Sequence, residues 1–371
     1  MQLIKVDTSK KAEVRQFIRF PFSLYKGDLF WVPPLQNEME TVMNRQEHPF
    51  YKHSIADFFM VIDGRKVLGR IAVLKNSNFC RYHACETAFF YYFESVNDSS
   101  VSKLLFDAAI EWSKQNGANQ LMGPKGFLRS NGLGLLVEGF DLLPAVGIPY
   151  NLPYYANLFE EAGFVKETDH LSGTMNHTLT PRLHQAAERV IERGQFKVRK
   201  FKTKKDLLGM IPWVEVIHKK AFENNPGFYP STKEEFDLLA RNIIAIADPN
   251  MIKVIMHNDD IAGFIIAYRN INQAIKSLQG RLYPFGWLSL LSAKQHSKIA
   301  DLNGVGLLPE YQGLGGNVLL YAEVEKTLVK AGIQSAEIVQ VDERNFRSKS
   351  DMEFMQVAWN KKHRTYKLDL A

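Results

Sequence analysis

The apolar and polar positions of the chain repeat one arrangement twice. Residues 57–61 and 66–75 are apolar segments on either side of Asp63-Gly64, a pair typical of a hairpin turn. Residues 251–257 and 261–268 form a second pair, and in both hairpins a hydrophobic-x-Gly triplet lies midway along the second segment. We interpret this as a weak internal repeat that places two halves of the chain in equivalent register.

The same order of elements follows each hairpin. In the first half, a nearly continuous apolar segment at 86–95 predicts a buried strand, and Asp98 or Ser99 caps a predicted helix over 101–116 before a strand at 120–122. In the second half, a strand at 299–308 precedes a helix at 318–330 and a strand at 335–341. The pattern therefore predicts an α/β protein built from two similar halves.

The joint between the halves is predicted from its capping residues. Thr180-Pro181 is a strong helix start, and Gly194 follows the last periodic residue of a helix that ends near 193. We take this helix as a connector and predict domains at 1–179 and 195–371 with the connector at 180–194. Residues 364–370 are expected to end the chain as a strand.

Composition excludes several classes of protein. The chain has 371 residues, 46% of them hydrophobic, and a formal net charge of +6, which fits two cored domains and an anionic ligand. It contains no dense basic run with interleaved aromatics and no apolar run long enough to cross a membrane, and its first residues lack the apolar core expected of a signal sequence. The two cysteines, Cys80 and Cys85, form no metal-ligand cluster. We expect a cytoplasmic protein without metal, nucleic-acid or membrane partners, and the oligomeric state stays open.

The most informative stretch is the turn between the strand at 299–308 and the next helix. Pro309 stops the strand, and glycines at 313, 315 and 316 precede the helix. The first amides of a helix have no intrahelical acceptor, and glycines without Cβ atoms let a phosphate approach the backbone. The stretch therefore predicts an anion site, or else an ordinary strand-turn-helix in which glycines serve only the turn.

The motif in this turn resembles that of the GNAT superfamily of N-acetyltransferases. The P-loop and the G-x-G-x-x-G fingerprint are both absent. What fits is a strand ending in hydrophobic-x-Pro-x-Tyr-Gln-Gly and leading into Q/R-x-x-G-x-G/A. The matching residues are Leu307, Pro309, Tyr311, Gln312, Gly313 and Gly315. One departure is Asn317, which stands where the family has a small residue.

The resemblance implies a fold, a cofactor and a set of contacts. The fold is two GNAT-like domains, each a mixed, mostly antiparallel twisted sheet flanked by helices. The cofactor is acetyl-CoA or another acyl-CoA, held by the second domain. The implied cofactor contacts are Leu307, Leu308, Gln312, Gly313, Leu314, Gly315, Gly316, Asn317 and Asn345. In the first domain the junction at 95–100 has no glycine and places Asp98 where the diphosphate would lie, so we infer a degenerate domain that does not bind coenzyme A at that junction.

Direct acyl transfer to an amine needs a group that takes a proton from the amine. Asp301, Glu310 and Glu343 are candidate bases near the strand ends, and each is also readable as a plain surface carboxylate. The tyrosine that many family members carry after the fifth strand is missing beyond Asn345. For the amine substrate, the long apolar loop at 123–155 offers Tyr150, Asn151, Tyr154 and Tyr155, which are equally readable as packing residues.

The resemblance thus implies an acyl-CoA-dependent N-acyltransferase, with N-acetyl transfer as the expected reaction, acting on a primary amine of a small molecule or peptide. One alternative is an aminoacyl or peptidyl transferase of the FemABX type, although charged tRNA leaves the diphosphate loop without a role. The other is a non-catalytic regulatory module that binds coenzyme A. We expect Gly315→Glu to abolish coenzyme A binding while leaving the fold intact.

Overall fold

The computed structural model describes residues 1–176, 180–281 and 285–370, with only the backbone of Asn176. Its strands are β1 (Gln2–Lys5), β2 (Ile55–Asp63), β3 (Lys66–Lys75), β4 (Thr87–Ser95), β5 (Gln120–Gly123), β6 (Leu135–Glu138), β7 (Val165–Asn176), β8 (Phe196–Lys200), β9 (Ile252–His257), β10 (Asp260–Arg269), β11 (Ile299–Leu307), β12 (Ser335–Asp342) and β13 (Ala358–Asp369). The helices are α1 (Lys11–Leu24), α2 (Gln36–Met43), α3 (Ser77–His83), α4 (Ser99–Gln115), α5 (Tyr155–Glu161), α6 (Pro181–Glu192), α7 (Lys204–Leu208), α8 (Ile211–Phe222), α9 (Lys233–Ile246), α10 (Asn272–Ser277), α11 (Gly286–His296), α12 (Gly316–Lys330) and α13 (Phe346–Phe354).

The chain folds into two compact units whose sequence segments interleave. The N-terminal unit comprises residues 1–170, 272–287 and 361–371, and the C-terminal unit comprises 171–271 and 288–360. This division differs from the predicted domains, and the predicted boundary residue 179 lies outside the described residues. The difference arises because the end of β13 pairs with β5 through Tyr366↔Gly123 and Asp369↔Gln120. These strands are far apart in the sequence, so local sequence patterns do not predict their pairing.

The N-terminal unit is built on a mixed sheet. Its strands follow the order β1-β2-β3-β4-β5 and then the C-terminal part of β13, with antiparallel neighbours except for the parallel pair β4–β5. Helix α4 packs on β2 and β3, and its apolar face closes a core rich in phenylalanine, including Phe90, Phe106 and Phe159. The predicted hairpin, buried strand and helix of this half are therefore present.

The C-terminal unit repeats that order. Strands β8-β9-β10-β11 are antiparallel neighbours, β11–β12 is the parallel pair, and β7 follows β12. Helix α12 packs against β9 and β10 over one core, while α8 packs against β10 and β11 over another. The predicted mixed, mostly antiparallel sheet flanked by helices is confirmed.

Two hydrogen bonds define the correspondence between the units. The Val96 amide donates to the Leu68 carbonyl at 2.9 Å, and the Leu308 amide donates to the Ala262 carbonyl at 2.9 Å. The residues after these acceptors are both glycines, and the strand pairs they form are Gly69↔Ser95 and Gly263↔Leu307. Ser95 of the first unit therefore corresponds to Leu307 of the second. The two hydrophobic-x-Gly triplets of the sequence occupy the same place in the two sheets.

Several elements differ from what the sequence pattern indicates. Helix α1 continues through Pro21 to Leu24, although a proline is typical of a helix end. The segment 204–222 is two helices, and Pro212 lies in the first turn of the second, where no intrahelical amide is lost. The connecting helix is α6, capped by the Thr180 side chain as predicted, but it belongs to the C-terminal unit and packs on α12.

Candidate functional site

The candidate site lies where β11 separates from β12 in the C-terminal unit. The two strands pair in parallel from Ile299↔Ser335 to Leu302↔Ile338. Beyond that point β11 continues to Leu307 paired with β10. Because a parallel ladder normally supplies partners along both strands, this separation opens the β12 side of residues 303–307. Gly304, at φ +148°, lies in the bulge where the pairing with β10 shifts register.

The turn after β11 presents consecutive backbone amides. Among the described residues, the amides of 313–318 donate no hydrogen bond to any protein atom, and the first helical bond into this stretch comes from Leu319 to Gly315. Gly313 and Leu314 are exposed. Unpaired amides at a helix start carry partial positive charge and suit an anion.

Glycine is favoured at each of the three positions of the turn for a different physical reason. Gly313 has φ +78°, and a Cβ added there would meet no other atom, so only its backbone conformation favours glycine. Gly315 has φ +88°, and a Cβ there would lie 2.5 Å from Val190 Cγ2 of α6. Gly316 has a negative φ but packs so closely that a Cβ would lie 2.8 Å from Leu307 Cδ2. Gly315→Glu would therefore strain the backbone and push against Val190 of α6, so a local disturbance of packing is to be added to our expectation that the fold stays intact.

Asn317 does not fill the mouth of the turn. Its side-chain amide donates to Asp351 Oδ2 of α13 at 2.8 Å. Burial raises the pKa of the Asp351 carboxyl, and the Asn317 hydrogen bond opposes that rise. The side chain of Asn317, which is larger than the small residue of the family motif, is thus directed to α13 and away from the turn. The backbone amide of Asn317 remains one of the amides at 313–318 without a hydrogen-bond acceptor among the described residues.

Gln312 links the turn to a cation. Its Nε2 donates to the Leu307 carbonyl at 3.1 Å, and its Oε1 accepts from Arg347 Nη1 at 2.5 Å. Arg347 is exposed on α13, so its guanidinium keeps further donors for a ligand. Sequence reasoning missed Arg347, and its place beside Asn345 after β12 was the available signal.

The other predicted cofactor contacts have structural partners. Leu308 is buried, and its amide belongs to the ladder with β10. Asn345 caps α13 by accepting from the Ser348 amide at 3.1 Å. Leu314 is exposed at the turn. The structure brings Leu307, Gln312 and the glycines together at the turn. Leu308 and Asn345 instead have structural roles, in the pairing with β10 and in the cap of α13.

The predicted bases occupy three different surroundings. Asp301 is fully buried, and both of its carboxylate oxygens accept from Asn270 Nδ2 at 3.0 and 3.2 Å. Glu310 is exposed in the 3-10 turn Pro309–Tyr311. Glu343 is partly buried after β12. These placements give Asp301 no direct contact with solvent.

A polar row on one face of the sheet was missed by sequence reasoning. Tyr268 pairs across the strands with Asp301, and Asn303 Nδ2 donates to the Tyr268 hydroxyl. Burial and the nearby Asp301 charge raise the pKa of Tyr268. Asn303 is exposed at the first position after β11 leaves β12. The row Asp301–Tyr268–Asn303 thus leads from the interior to the opened strand.

In the N-terminal unit the corresponding strand end is filled by tyrosines. The Ser95 amide donates to the Tyr155 hydroxyl at 3.1 Å, and the Ser95 carbonyl accepts from the Tyr154 hydroxyl at 2.6 Å. The Tyr155 hydroxyl in turn donates to Glu94 Oε2 at 2.7 Å. Asp98 caps α4 through the Ser100 amide. Tyrosine hydroxyls therefore occupy both the amide and the carbonyl of Ser95, whereas the Leu307 carbonyl accepts from the side chain of Gln312 in the glycine turn.

A buried charge cluster holds these tyrosines in place. Glu94 accepts a second hydrogen bond from Tyr25 at 2.6 Å, and Arg70 lies 3.8 Å from its other oxygen. Burial raises the pKa of Glu94, while Arg70 and the two tyrosine hydroxyls oppose that rise. Both carboxylate oxygens of Glu94 therefore have partners within the cluster, as a buried polar network requires for stability.

The four predicted substrate residues make packing contacts in this structure. Tyr154 and Tyr155 cover Ser95, Tyr150 donates to the Phe140 carbonyl at 3.1 Å, and Asn151 is buried against the backbone of Leu136. Their hydroxyl and amide groups serve the N-terminal unit itself. The interpretation of the 123–155 loop as a packing segment, which the sequence left equally open, fits these contacts.

Neither a metal site nor a membrane-spanning helix is found in the described parts of the chain. Within 1–176, 180–281 and 285–370, no group of three or more His, Cys, Asp or Glu side chains is placed to hold a metal ion. Over the same ranges, no helix combines the length and apolar character needed to span a bilayer.

Comparisons with known proteins agree with this architecture. No protein-family model matches the chain. It is 29% identical over 310 residues to Protein YghO of Escherichia coli (strain K12), covering 81% of this chain and 78% of that protein. It is 27% identical over 289 residues to Bacterial ceramide synthase of Caulobacter vibrioides (strain NA1000 / CB15N), covering 76% of this chain and 73% of that one.

Among solved structures, the chain is similar to a tandem GNAT protein from the clavulanic acid biosynthesis pathway, with a TM-score of 0.57 and 10% identity. The match covers 100% of this chain and 98% of that chain, and at this identity it concerns the fold. The resemblance predicted from the motif after β11 is confirmed at the level of architecture. The chain thus has the fold of a tandem GNAT protein, with one GNAT-like fold in each of its two units.

Proposed function

We propose that the chain transfers an acyl group from acyl-CoA to a primary amine, and that the C-terminal unit binds the cofactor. The observation that carries the proposal is the run of unpaired amides at 313–318 among the described residues, directly after the strand that separates from its parallel neighbour. A diphosphate satisfies such amides and is favoured by the positive end of α12. The GNAT fold of the chain supports acyl transfer as the chemistry.

The cofactor would lie with its diphosphate at 312–317 and its pantetheine arm along the opened side of β11 near Leu307. Arg347 supplies a side-chain cation beside the turn, held toward it by Gln312. A guanidinium forms strong, directional hydrogen bonds to phosphate oxygens. At the corresponding strand end of the N-terminal unit, Asp98 and the two tyrosines occupy the equivalent backbone groups.

The reaction forms an amide bond from the amine nitrogen to the acyl carbon and breaks the carbon–sulfur bond of the thioester. The amine loses a proton and the departing thiolate gains one. We propose that a carboxylate near the strand end, Glu310 or Glu343, takes the amine's proton, because an amide such as Asn303 has no basic group to accept it. Asn303, whose Nδ2 donates to the Tyr268 hydroxyl, is held at the opened strand and orients the amine through its side-chain oxygen, with the buried charge of Asp301 beneath this row.

For the acceptor, we propose an amine attached to a long apolar chain. A relative whose match covers 76% of this chain carries the name ceramide synthase, and a ceramide is the amide of a fatty acid with a long-chain amino alcohol. Small-molecule and peptide amines, which the sequence analysis predicted as acceptors, are tested beside the long-chain amines. A FemABX-type reaction is less well supported, since aminoacyl-tRNA would leave the amides of 313–318 without a ligand.

Two measurements test the proposal. Isothermal titration with acetyl-CoA and with long-chain acyl-CoA should show binding by the full chain. A thiol-release assay over long-chain amino alcohols, short amines and peptides should then show turnover with at least one amine. Binding without turnover on any amine would favour the non-catalytic module, and absence of binding to every acyl-CoA would overturn the proposal.

A further inference from the structure

Helix α8 exposes large apolar side chains on the face that points away from the core. Trp213 is 63% exposed and Val216 is 53% exposed, and Leu208 at the end of α7 is 50% exposed. Trp213, Val216 and Lys220 are spaced by three and four residues, so they form one stripe along the helix. We call Leu208, Trp213 and Val216 the apolar patch.

The opposite face of α8 is fully used by the fold. Ile217 is buried in the core formed with Val254 and Phe264. Ala221 and Phe222 cover Gly306, where a Cβ would lie 3.1 and 3.3 Å from their side-chain atoms. The helix is therefore apolar on two faces, whereas a surface helix needs only one apolar face to pack on its core.

Cations border the apolar patch. Lys205, Lys219 and Lys220 are exposed, while α8 has one carboxylate, Glu215, which is only partly exposed. The carboxylate of Asp206 in α7 accepts from the Thr203 amide as part of a capping box. An apolar patch bordered by lysines is complementary to a surface with an apolar interior and anionic headgroups.

We propose that the apolar patch docks the C-terminal unit onto an anionic lipid surface. Trp213 enters the headgroup region, where the amphipathic indole is favoured, and Val216 and Leu208 reach the acyl boundary. Lys219 and Lys220 contact anionic headgroups. Peripheral docking of this kind needs no spanning helix, and as a proposal it differs from our sequence-based expectation of a protein without a membrane partner.

The position of α8 relates membrane docking to acyl transfer, an inference that rests on the proposed function. The helix has its inner face on Gly306, at the strand end proposed to hold the thioester. A bilayer on its outer face brings a lipid-borne amine to within one helix diameter of that strand, about 10 Å. The docking surface thus deepens the proposal of a long-chain amine acceptor.

Co-sedimentation of the full chain with vesicles tests the docking without any cofactor. The vesicles are made of phosphatidylcholine alone and of phosphatidylcholine mixed with phosphatidylglycerol. We expect binding to the mixed vesicles only, weakened about twentyfold by Lys219→Gln with Lys220→Gln and by high salt. Trp213→Ser with Val216→Ser should reduce binding at least as much, and the tryptophan fluorescence of the unaltered chain should shift to the blue on binding.

A matched control is Val329→Ser, which removes a similarly exposed side chain from α12 and should leave vesicle binding unchanged. Unaltered thermal melting of the double variants excludes unfolding as the cause of any loss. The proposal is overturned if the chain ignores anionic vesicles, if the patch variants bind as well as the unaltered chain, or if the patch instead mediates self-association that Trp213→Ser abolishes. Because acyl-CoA titration is a separate measurement, loss of the docking proposal leaves the proposed function standing, and the reverse also holds.

Discussion

The hydroxyl of Tyr155 accepts a hydrogen bond from the backbone amide of Ser95 at 3.1 Å, at the strand position that corresponds to Leu307 in the other unit. In the N-terminal unit tyrosine hydroxyls therefore occupy both the amide and the carbonyl at this position, whereas in the C-terminal unit the Leu307 carbonyl accepts from the side chain of Gln312, a residue of the turn itself. The two units thus differ in which side chains cover the end of a central strand. That difference is the basis for assigning the candidate site to the C-terminal unit.

The first prediction concerns stoichiometry. Calorimetric titration should give one acyl-CoA per chain, because Tyr154 and Tyr155 occupy the backbone of Ser95. Tyr155→Phe should lower the free energy of unfolding by about 2 kcal/mol, since it leaves a buried amide without its acceptor, and should create no second binding event. Tyr82→Phe, at an exposed ring, is the control for stability. A second equivalent bound by the unaltered chain would contradict the assignment.

The second prediction concerns the backbone amides of the glycine turn. Gly313→Asp places a carboxylate at the exposed mouth and should weaken acyl-CoA binding by at least about a hundredfold, through like-charge repulsion and loss of the anion site. Gly313→Asn is the matched control, because it has nearly the same shape and tolerates the same left-handed backbone at φ +78°. Equal affinities of the two variants for acyl-CoA would show that the diphosphate binds elsewhere.

The third prediction concerns Arg347. Arg347→Gln should raise the dissociation constant for acyl-CoA by about tenfold, because a charge-assisted hydrogen bond to phosphate is lost. The loss should shrink as salt is added. The control is Arg344→Gln. Arg344 lies between β12 and α13, three residues before Arg347, and its guanidinium pairs with Asp342 at 2.9 Å. Titration should show no comparable loss for this control, and a larger loss for Arg344→Gln than for Arg347→Gln would rule out the assigned role.

The fourth prediction concerns Tyr268. Tyr268→Phe removes the hydroxyl that anchors the Asn303 side chain, and kcat should fall about tenfold because the amine is less well oriented, while the dissociation constant for acyl-CoA stays unchanged. Tyr321→Phe provides the comparison, since the buried Tyr321 hydroxyl has no hydrogen-bond partner among the described residues. A steady-state assay separates kcat from binding. An unchanged kcat in Tyr268→Phe would show that Asn303 does not orient the amine.

The fifth prediction concerns stability at acidic pH. Burial lowers the pKa of His363 to about 4, although the Pro149 carbonyl, 3.0 Å from its Nε2, opposes that shift. The unfolded chain then binds more protons than the native state between about pH 6.5 and 4, so stability falls as the pH is lowered through that window. The maximum contribution is about 3 kcal/mol.

Denaturant unfolding at pH 7 and pH 5 measures this effect of His363. His363→Gln should flatten the dependence of unfolding free energy on pH, whatever its effect at pH 7. His296→Gln, at an exposed ring, should follow the unaltered chain. The same slope in His363→Gln and in the unaltered chain would assign the pH dependence to other groups.

The sequence by itself determined the local elements and the glycine turn. Hairpins, the buried strand at 86–95 and the start of α12 follow from alternation, capping residues and glycines that are near neighbours along the chain. Such signals act over a few residues, which is why they are readable without the fold. The motif from Leu307 to Gly315 was therefore found at the position where the structure places the unpaired amides.

Tertiary structure alone decided which groups are free and which are occupied. Tyr155 reaches Ser95 across 60 residues, and Asn317 turns toward Asp351 across 34. It also decided that Asp301 is buried and that a Cβ at Gly315 would meet Val190. Each of these outcomes depends on packing between elements distant in sequence, where residue type sets what a side chain is able to bind and the fold sets what lies within its reach.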